Sequence, residues 1–172
     1  MKPNSKTKKI VLYGILIAVA LVLSYLESLI PAFFAIPGMK LGLTNLVVIF
    51  ALYLMGPFPA LAINVVRILL TGLLFGNAFS LLYSAAGAIL SWVVMVLLKK
   101  TGKFGTVAVS IAGGISHNIG QILVAMLVLQ TSQIAWYLLI LWFSGIAAGA
   151  VIGILGGILC KRLQPVLQKS IL

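Results

Sequence analysis

Aspartate is missing from this chain, and glutamate occurs once, at Glu27, against twelve lysines and arginines in 172 residues. A lone carboxylate excludes the paired acids of general acid/base catalysis and of magnesium binding. One histidine, His117, and one cysteine, Cys160, exclude an internal disulfide, a thiolate metal cluster and a zinc site, so no metal and no cofactor are expected. Cys160 reads as a small apolar filler near the end of the last apolar run. A Gly-x4-Gly-Lys-Ser/Thr phosphate loop is also lacking, which removes ATP hydrolysis by that route. The chain alone is not expected to be an enzyme.

Charge is scarce as well. Charged residues make up 8% of the chain and hydrophobic residues 63%, with a mean hydropathy of +1.26, a balance that no water-facing surface can carry. The net charge of +11 would suit nucleic acid in number but not in position. Lys2, Lys6, Lys8 and Lys9 precede the first apolar run, Lys99, Lys100 and Lys103 lie between the fourth and fifth, and Lys161, Arg162 and Lys169 follow the last. Cations at the ends of long apolar runs mark loops kept in the cytoplasm. No nucleic-acid partner is expected; the surroundings are lipid.

Six apolar segments follow, at about 10–30, 41–55, 59–76, 79–98, 105–129 and 134–160. The second is short enough for a re-entrant hairpin, but six crossings alone put all the basic clusters on one side. The expectation is an all-α, polytopic membrane protein of six transmembrane helices. It forms one domain over 1–172, with cytoplasmic tails of about 1–9 and 161–172, so that both termini are cytoplasmic. A cleaved signal peptide over 1–35 would begin in the same way, but its apolar core would be too long and no small-residue cleavage site follows. Trp136 and Tyr137 fit the outer interface, Tyr13 and Tyr53 the inner one.

The connections are tight, at Gly56–Pro59, Gly76–Asn77 and Gln130–Gln133, except for the aromatic, proline-bounded stretch Pro31–Met39. That stretch reads either as a lid over an outward-facing pocket or as a loop lying on lipid headgroups. Gly145, Gly149, Gly153 and Gly157 recur at intervals of four in the last span, a spacing that lets helix backbones approach closely in lipid. This seam could pack inside the protomer or against a partner. Gly14 and Ala18 make a weaker one on the first span. Gly113 and Gly114 would admit a neighbouring helix or a ligand.

Few polar residues remain, and they share a depth. Lys40 with Thr44, Asn64 with Arg67 and Thr71, and His117 with Gln121 are spaced to share helix faces. Asn45 and Asn118 fall beside them, and Ser116 precedes His117. An arginine in mid-membrane costs about 2.5–3.5 kcal/mol on insertion scales, so Arg67 should face the interior with a partner. Glu27 is the one carboxylate available for an ion pair with Arg67. Since Glu27 cannot neutralise both Lys40 and Arg67, the cluster Lys40, Thr44, Asn45, Asn64, Arg67, His117, Asn118 and Gln121 is the candidate binding site for an anionic or strongly hydrogen-bonding small molecule. Flavin-like rings would also suit it. A buried histidine bonding a carbonyl is the plain alternative for His117.

Three stretches carry a family resemblance. They are Pro37-Gly-Met-Lys-Leu-Gly-Leu-Thr-Asn45, Leu81-Leu-Tyr-Ser-Ala-Ala-Gly-Ala-Ile-Leu-Ser91 ending in Leu98-Lys-Lys100, and Ser116-His-Asn-Ile-Gly-Gln-Ile-Leu-Val-Ala125. With Arg67 after Asn64, they resemble the bacterial membrane family labelled both Gx transporter and heptaprenyl diphosphate synthase component I. That family is similar to the S components of energy-coupling factor transporters, which are six-helix substrate-binding subunits. The resemblance implies an S-component-like bundle that captures a vitamin-like solute from outside. It implies partners too: a transmembrane coupling protein docked on Gly14 and Ala18, and cytoplasmic ATPase subunits. The synthase label implies instead a non-catalytic accessory membrane subunit in polyprenyl diphosphate or quinone synthesis, since such synthases resemble each other in aspartate-rich motifs absent here. A stand-alone secondary carrier is a further alternative.

Overall fold

In a computed structural model the described residues are 5–29 and 42–170, and they form helices throughout. Six α-helices run α1 Ser5–Leu29, α2 Asn45–Leu54, α3 Pro57–Phe75, α4 Ala78–Lys100, α5 Thr106–Leu129 and α6 Tyr137–Ser170, with a 3-10 turn at Ser132–Trp136 leading into α6. Five of the helices are long and apolar enough to cross a bilayer; α2 is the shorter one. The stretch Pro31–Met39 and Lys40 lie outside the described residues.

Local sequence fixes the breaks. Pro57 opens α3 at its first turn, where a missing N–H is harmless, and Gly56 supplies the positive φ of 104° that turns the chain out of α2. Asn77 caps α4 through a reciprocal capping box with Ser80. Gln130, at φ 48°, stops α5 in the left-handed region. Helix α6 does not end with its apolar run but continues through Lys161, Arg162 and Pro165 to Ser170.

The second helix departs from expectation. A span of 41–55 with Lys40 and Thr44 on one face requires helix from residue 40 onward, yet Gly42 sits at φ 72° and the helix starts only at Asn45. The left-handed glycine breaks the i, i+4 relation, and Thr44 becomes the residue ahead of the first turn. Ten residues rise about 15 Å, half of a hydrocarbon core. Every residue from Val47 to Leu52 is buried, as for a helix apolar on all sides and enclosed by others.

Helix neighbours define a closed ring. Helix α2 packs on α3, α3 on α4, α4 on α5, α5 on α6, and α6 back on α2, while α1 lies outside and packs chiefly on α3. The α6 glycines close the α5–α6 contact. A Cβ at Gly145 would meet the Gly114 carbonyl oxygen at 3.1 Å, at Gly149 the Ile111 Cα at 2.6 Å, and at Gly153 the Val107 Cα at 2.6 Å. The seam therefore packs within the protomer. Gly113 is pressed on Met95 of α4 and Gly114 on Gly145 of α6, so both serve helix packing.

Outside and inside are inverted relative to a protein bathed in water. Leu73, Leu127, Trp136 and Phe143 are at least 70% exposed, whereas Asn64 and Arg67 are buried. Large apolar side chains on the perimeter match lipid, and the polar groups face inward. Cys160 is buried in the apolar core, as a filler would be.

Candidate functional site

Arg67 sits about 15 Å along α3 from Pro57, and His117 about 16 Å along α5 from Thr106, so both lie in the middle of their helices. Around them the ring encloses a cavity of ≈ 50 Å³ to which each of its five helices contributes. Gly42, Thr44 and Asn45 come from the start of α2, Arg67 from α3, Ser84 from α4, Ser110, Gly114, His117 and Asn118 from α5, and Gly145, Ala148, Gly149 and Ile152 from α6. No residue of α1 lines it among those described.

Of the residues singled out in the sequence, Thr44, Asn45, Arg67, His117 and Asn118 converge on this cavity. Asn64 stands behind Arg67: its Oδ1 accepts a hydrogen bond from Arg67 Nη2 at 2.5 Å, one turn away on α3. This bond holds the guanidinium, which is 9% exposed and whose Nε has no hydrogen-bond partner. Gln121 turns instead toward α4. A Cβ at Gly87 would lie 3.0 Å from its Cγ and 3.0 Å from the His117 ring, so both side chains pack on that glycine. Asn118 is partly committed, since its Nδ2 donates to the Leu141 carbonyl at 2.6 Å and ties α5 to α6. Ser116 donates to the Ala112 carbonyl at 2.6 Å and stays off the cavity.

Glu27 reaches the site from outside the ring. Its Oε1 accepts the Gly42 N–H at 2.6 Å, pinning the left-handed turn ahead of α2 to the upper part of α1. The same carboxylate is a nearby negative charge for Arg67. The two side chains take different hydrogen-bond partners, Gly42 for the Glu27 carboxylate and Asn64 for the Arg67 guanidinium.

Ser84, Ser110 and the α6 glycines are cavity residues that the polar inventory passed over. The available signal was register, because Ser110, Gly114, His117 and Asn118 recur at intervals that keep one face of α5 toward the centre. Among the described residues no group of three or more His, Cys, Asp or Glu could hold a metal.

At the opposite end of α2, Lys99 donates from Nζ to the Leu52 carbonyl at 2.5 Å and lies 4.9 Å from the centroid of the Tyr53 ring. A cation there complements the negative end of the α2 dipole. Trp92 donates to the Pro57 carbonyl at 2.9 Å, fixing the α2–α3 turn on α4.

Fold and cavity together define a polytopic helical membrane protein that encloses a polar pocket within an apolar ring. Within that class the chain belongs to the heptaprenyl diphosphate synthase component I family, whose family model matches residues 16–159. Comparison with curated proteins and with solved structures gave no match.

Proposed function

We propose that this chain is the membrane-embedded solute-capture subunit of an energy-coupling uptake transporter in a bacterial cytoplasmic membrane, with both termini cytoplasmic. It takes a small anionic or vitamin-like solute from the outer side, performs no chemistry on it, and draws energy from a coupling protein and cytoplasmic ATPase subunits. The observation that carries this reading is the separation of two features. A polar cavity built around buried Arg67 is enclosed by α2–α6, while α1 stands outside the ring with Gly14 exposed and nothing within 4 Å of where its Cβ would be. Ala18, one turn on, is exposed as well. Capture and docking then belong to different surfaces, as a subunit that binds solute for another machine requires.

Native mass spectrometry of the detergent-purified chain tests this reading. A retained small molecule and co-purified ATPase subunits are expected, and Gly14→Leu should release the partners while leaving the solute bound. Purification with neither solute nor ATPase partner would sink the proposal.

The family's description favours a second reading, an accessory membrane subunit for heptaprenyl diphosphate synthesis. That reading expects co-purification with a soluble prenyl synthase and altered product length on deletion. Complexes containing only ATPase partners would count against it.

A further inference from the structure

We infer that the cavity is an oxyanion site, built to take a carboxylate or phosphate group at the junction of the α2 N-terminus and Arg67. This inference rests on the solute-capture reading and narrows it to a chemical class.

Donors converge on the cavity from independent elements. Helix α2 begins there, and Thr44 precedes its first turn without a side-chain capping bond. The N–H groups of Asn45, Leu46 and Val47 are taken by the carbonyls of Gly42, Leu43 and Thr44, so α2 contributes to the cavity the positive end of its dipole, which favours an anion. The second observation is Arg67, 9% exposed and lining the same cavity. A guanidinium carries five N–H donors in a fork suited to two oxygens. In the structure Asn64 takes one of them at Nη2, and Nε has no partner. Such a cation persists in an apolar bundle when a counter-ion completes it. Hydroxyls of Thr44, Ser84 and Ser110 supply neutral donors, and none of the described lining residues is acidic. Glu27, the one acidic side chain, is a nearby negative charge for Arg67, but its Oε1 is held by the Gly42 N–H and it is not among the lining residues.

Size narrows the class further. At roughly 10–15 Å³ per water on this measure, ≈ 50 Å³ holds about four waters. That accommodates the heavy atoms of a carboxylate or phosphate group. Any larger ligand enters by its anionic head.

The test uses the full chain in a neutral detergent, titrated calorimetrically with inorganic phosphate and with acetate, chloride serving as the control anion. Saturable binding of phosphate or acetate at millimolar concentration is expected. Arg67→Lys should weaken it at least tenfold, because an ammonium loses the fork. Asn64→Asp should abolish it by placing a carboxylate against the guanidinium, with an unchanged size-exclusion profile as proof of folding. Thr44→Val, should either variant fail to fold, is expected to weaken binding severalfold. Two results would overturn the inference: no oxyanion binding by the wild type, or wild-type binding by folded Asn64→Asp. A neutral solute retained in native mass spectra together with either result would leave capture standing and remove only the oxyanion class. Binding of phosphatidic acid in nanodiscs but not of free phosphate would support the oxyanion site, assign its ligand to lipid and overturn solute capture.

Discussion

Arg67 is the one charged side chain buried among the described residues. Its guanidinium is buried at mid-span, and Asn64, one turn below it, provides the acceptor that keeps it oriented. Replacing Asn64 with Leu leaves that buried donor without its partner, which costs about 1–3 kcal/mol. A lower Tm in detergent-phase thermal unfolding is the expected outcome; an unchanged Tm would mean that the bond contributes nothing. Asn118→Ala removes the tie to the Leu141 carbonyl, which the α6 ladder can also satisfy, so a loss of stability of about 1 kcal/mol is expected from the same measurement. Much of this cluster could be seen in the sequence because Asn, Arg and His are rare in apolar helices and their spacing assigns them a face. Ser84 and Ser110 could not be seen that way. A serine in a membrane helix can satisfy itself on its own backbone, so its presence says little about direction. Thr44 reaches the cavity although Gly42, at φ 72°, interrupts the helix that the spacing rule assumes ahead of it.

Glycine governs the helix pairs. A Gly149→Ala change gains about 0.8–1.0 kcal/mol of intrinsic helix propensity, but the new methyl would lie 2.6 Å from the Ile111 Cα and 2.8 Å from the Ser110 carbonyl oxygen. Both are backbone, so α5 and α6 must separate, and overpacking of this kind costs about 1–3 kcal/mol or more. We therefore expect net destabilisation and a distorted cavity, read as a lower Tm together with weakened ligand binding. Gly14→Leu offers the contrast, because nothing lies within 4 Å of that position. The Tm of the isolated chain should be unchanged by it. The four-residue repeat announced a seam in α6, but which surface it met depended on the matching glycine of α5 and on flat backbone at Ser110 and Ile111, which no single-helix pattern contains. The second apolar segment is short in the sequence, but that its helix begins only at Asn45 is not visible there, because that start depends on the left-handed turn at Gly42.

At the scale of the molecule, the apolar perimeter matches a bilayer, and the basic helix ends carry the expectation that they face the cytoplasm. Cysteine labelling checks the orientation in a Cys160→Ala background, which removes the single native thiol. Lys103→Cys should react with a membrane-impermeant maleimide only from the cytoplasmic side, and Ser132→Cys only from outside. Reaction of both from one side would reject the arrangement. One further property comes from the latch between Lys99 and the end of α2. Ten residues of α-helix are too stiff to absorb a displacement along their axis, and this strut has Thr44 at the pocket and Leu52 held by the basic end of α4. A shove delivered at one tip arrives at the other. If the chain is the solute-capture subunit proposed above, occupancy of the pocket would be felt at the Lys99 end of α2, and Lys99→Met should leave a chain that still fills its pocket but no longer signals it, measured as lost solute stimulation of the partner ATPase.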